Sequence, residues 1–177
     1  GRADPESSIR RAAGRGQHTV VPRSGAVYTR SFSQPVRESC ATHRPEDTDP
    51  RKAYGVGKVQ CEQHLRQLFE TDGLPTTSLR VSHTIGPKSP LPTREPNFFA
   101  RLEAGRPILI PGEGFPFGHV VHVQDVARLM VALIGNDAAK GQTYNVAGAE
   151  VTSIEGCVRL MARAVGVTPE IVHVPMD

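Results

Sequence analysis

Two residues able to move protons stand four apart in Tyr54-Gly55-Val56-Gly57-Lys58. On a helix that spacing puts both side chains on one face, with about 5–6 Å between Cβ atoms. A free phenol ionises only near pH ~10. A neighbouring ammonium stabilises the phenolate, which makes a tyrosine usable as an acid or base near neutrality. Upstream, Ser24 sits in Arg23-Ser24-Gly25-Ala26-Val27-Tyr28, where a strand would end and a hydroxyl could meet the phenol. Serine, tyrosine and lysine would then form a proton relay beside a carbonyl or alcohol. A Tyr-x-x-x-Lys pair also arises by chance on solvated helix faces, so the pentapeptide alone leaves that alternative open.

The relay needs a strand and a helix to present it, and the pattern supplies both. His18–Val21 is a β-branched run closed by Pro22. A polar connection with three prolines runs from Thr29 to Arg51 and should lie on the surface. Val56, Val59, Leu65, Leu68 and Phe69 recur at helical spacing and predict a helix over Ala53–Thr71, stopped by Asp72-Gly73. Pro75–Ser82 follows as a strand, and Ile85-Gly86-Pro87 turns the chain at its carboxyl end. Helix followed by strand is half of an α/β unit. Further on, helices are expected at Asn97–Ala104, Asp125–Ile134 (with Asp125 as its cap) and Ser153–Val165. Strands are expected at Pro107–Ile110, His119–Val123 and Thr143–Val146. Near the start, Asp4-Pro5-Glu6-Ser7-Ser8 would cap a short helix over Ile9–Ala13.

Composition narrows the class. The 177 residues suffice for one domain with a core, but the apolar share is only 38%, with the deficit mostly in the first fifty positions. Net charge is +3, and seven of the 21 basic residues precede Arg44. A solvated, weakly ordered arm over residues 1–17 explains this better than a nucleic-acid partner. The three cysteines, Cys40, Cys61 and Cys157, form no Cys-x-x-Cys pair, so neither a disulfide framework nor a zinc site is suggested. His119 and His122, three apart on a predicted strand, should face opposite ways, and no metal site is expected. No apolar run reaches the ~18 residues of a membrane span and no signal-peptide core is present, so a cytoplasmic protein with no membrane partner is expected. Gly112-x-Gly114-x-x-x-Gly118 resembles a dinucleotide fingerprint, but that turn must follow a strand and open a helix. Here another strand follows, so a hairpin or loop is expected.

Six motifs in order carry a family resemblance: Ser24-Gly25-Ala26-Val27-Tyr28, Tyr54-x-x-x-Lys58, Leu79-Arg80 through Ile85-Gly86-Pro87, Pro111-Gly112-x-Gly114, His122-Val123-Gln124-Asp125-Val126-Ala127 and Gly141-Gln142-Thr143-Tyr144-Asn145-Val146. Over residues 18 to 176 the chain resembles the carboxyl-terminal portion of the extended short-chain dehydrogenases, the NAD-dependent epimerase/dehydratase family. The resemblance implies an α/β fold: a partial Rossmann-like parallel sheet with the family's smaller α/β substrate lobe. Residues 18–87 would be the Rossmann-like part and 88–177 the substrate lobe with returning Rossmann elements. It implies NAD or NADP as cofactor, Tyr54 as general acid/base, Lys58 holding the cofactor ribose, and Ser24 bonding the reacting oxygen. Val81 and Ser82 would lie beside the nicotinamide, with His83 and Asn97 toward the substrate. Pairing through a bundle that includes the Tyr54 helix would give a homodimer.

Departures from the family pattern qualify these expectations. No strand–Gly-x-x-Gly-x-x-Gly–helix turn is present, so a truncated chain with reduced or no activity alone is expected. Family members that act on sugar nucleotides carry an arginine seven residues before the Asp of Val-x-Asp, to clamp the diphosphate. Here that position is Gly118, which favours a smaller carbonyl or alcohol substrate over a sugar nucleotide. The competing expectation is a non-catalytic relative that binds a partner or nucleic acid.

Overall fold

The computed structural model describes residues 17–29, 35–88, 95–114 and 117–175. In chain order the elements are β1 (Thr19–Ser24), α1 (Ala53–Asp72), β2 (Thr76–Val81), β3 (His83–Ile85), α2 (Glu95–Glu103) and β4 (Ile108–Pro111). After them come β5 (Phe117–His122), α3 (Val123–Leu133), β6 (Thr143–Val146), β7 (Val151–Ser153), α4 (Ile154–Val165) and β8 (Ile171–Val174). The fold is mixed α/β with parallel sheets. It divides into two compact units, one holding the described residues up to Ser82 together with Asp125–Val146, the other His83–Gln124 and Ala147 onward. Among the described residues, no helix is long and apolar enough to cross a membrane.

The first unit is built on three parallel strands in the order β1-β2-β6. As the central strand, β2 is buried at all six positions, as parallel strands covered on both faces are. Four of the six residues of its sequence Thr-Thr-Ser-Leu-Arg-Val are nonetheless polar, so each polar group needs a partner. Thr76 donates to the Leu65 carbonyl of α1 (3.3 Å) and Thr77 to the Ala139 carbonyl. Against this sheet α1 lays Val56, Val59, Leu65 and Leu68. A 3-10 turn (Pro50–Lys52) capped by the Asp49 carboxylate leads into α1, and Gly73 at φ +66° ends it by returning its N–H to Leu68.

The second unit has an apolar core of Leu102, Ile108, Ile110, Val158 and Ala162, with Phe98, Ile154 and Ile171 packed against it. Alternation along β4 points Ile108 and Ile110 inward, where the parallel pair β4–β8 meets α2 and α4. A second sheet of the unit, in the order β3-β5-β7, pairs β5 parallel to β3 and antiparallel to β7.

Several expectations change. Pro22 does not close the first strand: β1 runs on to Ser24, because among the described residues it is an edge strand, where a missing N–H is tolerated. Asp125 does not cap its helix. The helix begins at Val123, and Asp125 sits in its first turn, ion-paired with Arg128 at 2.8 Å. Of the hairpin or loop expected after β4, the hairpin is not formed, since β4 pairs with β8 and β5 with β3 and β7. Ile85 belongs to a short strand whose existence depends on pairing with β5, and β7 and β8 are likewise strands made by tertiary pairing. The helix expected over Ile9–Ala13 lies outside the described residues.

Two histidines tie each unit together with opposite charge preference. His18 Nδ1 accepts the Gly135 N–H (3.2 Å) while its Nε2 lies 2.8 Å from the Thr77 hydroxyl. Burial, aided by Lys140 and opposed by Asp137, lowers its pKa below the usual 6.5. The neutral ring is therefore the folded form, and its contribution is present above that pH and lost as pH falls. In the second unit His173 bonds the Gly112 carbonyl (2.6 Å) and the Glu155 carboxylate (3.1 Å), which raise its pKa. Its contribution is present at low pH and lost as pH rises. Thermal melts at pH 5.5 and 7.5 should therefore show His18→Ala costing more at pH 7.5 and His173→Ala costing more at pH 5.5.

Candidate active site at the carboxyl ends of β1 and β2

Parallel pairing sets Ser24 directly beside Val81, although they are far apart in sequence. Both residues end their strands, and the crevice outside the carboxyl ends of parallel strands is where open α/β sheets bind ligands. Beyond Ser24 the chain turns into a 3-10 helix (Gly25–Val27), and the Ser24 hydroxyl accepts the Ala26 N–H at 3.1 Å. Ser82, next after Val81, donates its backbone N–H to the Val146 carbonyl (2.8 Å), so β6 fixes the same edge.

Helix α1 starts against this turn. At Gly55 an added Cβ would collide with the Ala26 carbonyl oxygen and stand 2.6 Å from Cδ2 of the His43 ring. Only a residue without a side chain lets the helix settle there, and Tyr54 is its neighbour. The Tyr54 ring is 64% exposed, and the Lys58 ammonium lies 5.2 Å from its centroid, a cation–π distance. Beside Tyr54 opens a cleft of about 920 Å³ walled by Tyr28, Thr42, His43, Arg44 and Gly55. Among the described residues no hydrogen bond joins Ser24 to Tyr54; the serine hydroxyl is engaged with Ala26. Ser24, Tyr54, Lys58, Val81 and Ser82 all belong to the first unit.

His83 and Asn97 belong to the second unit. His83 opens β3 and hydrogen-bonds the Glu95 carboxylate at the start of α2, while Asn97 is exposed on α2. Ile85 faces His122 across the β3–β5 pair, and His119 stands three residues away on the alternate face of β5. Among the described residues no group of three His, Cys, Asp or Glu side chains could hold a metal ion. Gly118, in the position of the diphosphate-clamping arginine, lies in β5 opposite Thr152.

Sequence reasoning passed over a buried polar network behind the cleft. Arg80, only 8% exposed, forks onto Glu62 of α1 through Nε (3.0 Å) and Nη2 (2.8 Å). Its Nη1 reaches the Tyr28 hydroxyl (2.7 Å) and the Glu38 carbonyl (3.0 Å). The Asn145 amide donates to the Glu38 carboxylate and holds it below the usual carboxylate range. A signal did exist: an arginine inside a buried strand must be neutralised, and Glu62 follows Lys58 by one helical turn.

The close approach at Gly55 has a matched control on the same helix. Nothing lies within 4 Å of a Cβ placed on Gly57. Gly55→Ala should destabilise by about 1–3 kcal/mol through overpacking. Gly57→Ala should stabilise by about 0.5–1 kcal/mol through helix propensity. Urea denaturation of the two variants checks both signs.

Comparison with known proteins bears on the family and the fold. Residues 7–147 match the model of the NAD dependent epimerase/dehydratase family. The chloroplast stem-loop binding protein of 41 kDa b of Arabidopsis thaliana is 32% identical over 148 residues, 83% of this chain and 38% of that protein. Among solved structures, a UDP-N-acetylglucosamine 4-epimerase from Methanobrevibacter ruminantium, in complex with UDP-N-acetylmuramic acid, superposes with TM-score 0.79 at 20% identity, over 97% of this chain and 55% of that one. A dTDP-glucose 4,6-dehydratase from Bacillus anthracis in complex with NAD gives 0.78 at 17% identity, over 97% and 54%. The chain thus spans about half the length of these structures and 38% of the Arabidopsis relative. From the family model over most of its length, the chain belongs to the NAD dependent epimerase/dehydratase family.

Proposed function

We propose that this chain carries the proton-transfer side of an NAD(P)-dependent epimerase, dehydratase or reductase, with Ser24, Tyr54 and Lys58 as its relay. The observation that carries the reading is the seat of Gly55 on the Ala26 carbonyl, which fixes the Tyr54 end of α1 against the turn that follows Ser24. The nicotinamide, when bound, supplies or accepts a hydride at the reacting carbon. An exposed phenol with an ammonium over its ring suits that partner: Lys58 would hold the ribose and Tyr54 would give or take the proton at the reacting oxygen. Ser24 would turn its hydroxyl from Ala26 to the same oxygen. Val81 and Ser82, at the end of β2, would flank the nicotinamide, and His83 and Asn97 would meet the substrate. No strand–glycine-turn–helix fingerprint occurs in the sequence, and the reading assigns to this chain only the nicotinamide end of the cofactor.

Gly118 offers no guanidinium for a diphosphate, which supports a smaller carbonyl or alcohol substrate, although solved neighbours are described with sugar nucleotides bound. The reading includes a homodimer through α1 and a cytoplasmic setting, in keeping with the free thiols of Cys40, Cys61 and Cys157. A second reading, nucleic-acid binding, has one observation in its favour, the name of the Arabidopsis relative. Against it, Arg51 and Lys52 at the cleft are already paired with Asp49 and Asp47.

Titration with NADH and NADPH, followed by nucleotide fluorescence, should show saturable binding. Tyr54→Phe should then keep binding while turnover falls by roughly 10²–10⁴-fold, the usual worth of a positioned acid/base. No binding from a chain that melts cooperatively overturns the reading. Binding of a random RNA oligonucleotide that weakens steeply as salt rises would favour the second one instead.

A further inference from the structure

The segment from Val36 to His43 contains no helix or strand; its last residues, Ala41, Thr42 and His43, wall the cleft beside Tyr54, and the segment is tied down at both ends. At one end the ties come from the sheet. Arg80 Nη1 donates to the Glu38 carbonyl (3.0 Å), Asn145 Nδ2 to the Val36 carbonyl (3.0 Å), and the Asn145 N–H to the Glu38 carboxylate (2.7 Å). At the other end Thr42 bridges to Tyr28, Thr29 N–H reaches the Ala41 carbonyl (3.1 Å), and His43 N–H reaches the Val27 carbonyl (2.8 Å). Tyr28 joins the two sets. Its single hydroxyl accepts from Arg80 (2.7 Å) and donates to Asn145 Oδ1 (2.7 Å), while the Arg80 guanidinium stacks 4.8 Å from its ring centroid. Every donor and acceptor in this chain has a set direction, because the guanidinium can only donate and its charge is met by Glu62. Glu62 stands on α1 one turn beyond Lys58, so the helix that presents Tyr54 and Lys58 also anchors the arginine that orders the cleft wall.

We propose that Arg80 and Tyr28 are positioning residues of this site, holding segment 36–43 as the fixed wall against which the Tyr54 side of the cleft is formed. The proposal rests on the Ser24-Tyr54-Lys58 reading for its functional consequence, and on the hydrogen-bond geometry alone for the wall itself. Tyr28→Phe is the decisive variant: it keeps the ring in its slot and removes only the hydroxyl that links Arg80 to Asn145. Hydrogen exchange by mass spectrometry should show amides of 36–43 exchanging at least tenfold faster, with α1 and β2 unchanged. The rate of nitration of Tyr54, also read by mass spectrometry, should change at least threefold. In an active preparation kcat should fall at least tenfold while KM for the nucleotide stays within twofold. Arg80→Lys, which keeps the charge and loses the fork, should reproduce all of these effects. Wild-type exchange and wild-type Tyr54 nitration in folded Tyr28→Phe would overturn the proposal, as would faster exchange with unchanged nitration and kcat. A wild-type chain that neither binds nor turns over nucleotide would remove the catalytic reading, leaving exchange and nitration to decide the wall.

Discussion

A guanidinium in the middle of a fully buried strand dictates much of the first unit. Taking Arg80 out of water is costly, and the cost is met only if every N–H finds an acceptor and the charge finds a carboxylate. Glu62 supplies the charge from α1, Tyr28 supplies an acceptor and a ring face, and the Glu38 carbonyl supplies another acceptor. Those three partners come from a helix, a strand-end turn and an irregular loop. One buried charge therefore fixes the helix on the sheet and the loop on both. Removing Glu62 would leave the buried ion without its counter-charge, which is costly by about 3–5 kcal/mol. An apolar pair of the same volume could stabilise as well, but it would not orient the loop, since dispersion has no direction.

Both units bury apolar side chains, but they differ in how much polar chemistry they bury with them. The second has an apolar core of Leu102, Ile108, Ile110, Val158 and Ala162, in which one face of α2 and of α4 meets one face of a two-stranded sheet. Alternation on β4 and helical spacing on α4 suffice to build it. The first buries apolar side chains such as Val56, Leu65, Leu68 and Leu79, and adds buried polar ones, Thr76, Thr77, Ser78 and Arg80, along its central strand. Such a strand confers little by hydrophobic burial and much by satisfied hydrogen bonds, which makes its geometry specific and its tolerance of substitution low. The proposed relay lies on this unit, where Ser24 and Val81 end neighbouring strands and α1 begins.

Glycine 55 shows how a single missing side chain can set the position of a helix. The helix that carries Tyr54 and Lys58 starts against the turn after β1, and the limit on that approach is a Cβ atom. The same logic does not hold two residues on, where Gly57 faces open space. Identity is only 17–20% in the two solved structures compared, yet the fold is shared.

Much of this was legible in the linear order of residues. Apolar spacing gave α1, α3 and α4 to within two residues at each end, and the run Thr143–Val146 gave β6 at its full extent. The Tyr54–Lys58 pair was legible from helical period alone, and the six motifs in order were enough for the family. What the order of residues could not give depends on long-range partners. β3, β7 and β8 are short segments that become strands only through neighbours far along the chain, and β1 continues past Pro22 because pairing with β2 outweighs the proline at an edge. Tertiary structure likewise set Ser24 beside Val81, closed Gly55 on Ala26, and gathered Glu62, Tyr28, Glu38 and Asn145 around Arg80. Periodicity is a local property, readable wherever one face of a segment is buried. The partners of a buried charge are set by loop closure and packing, here across 18 to 52 residues, and only the folded chain brings them together.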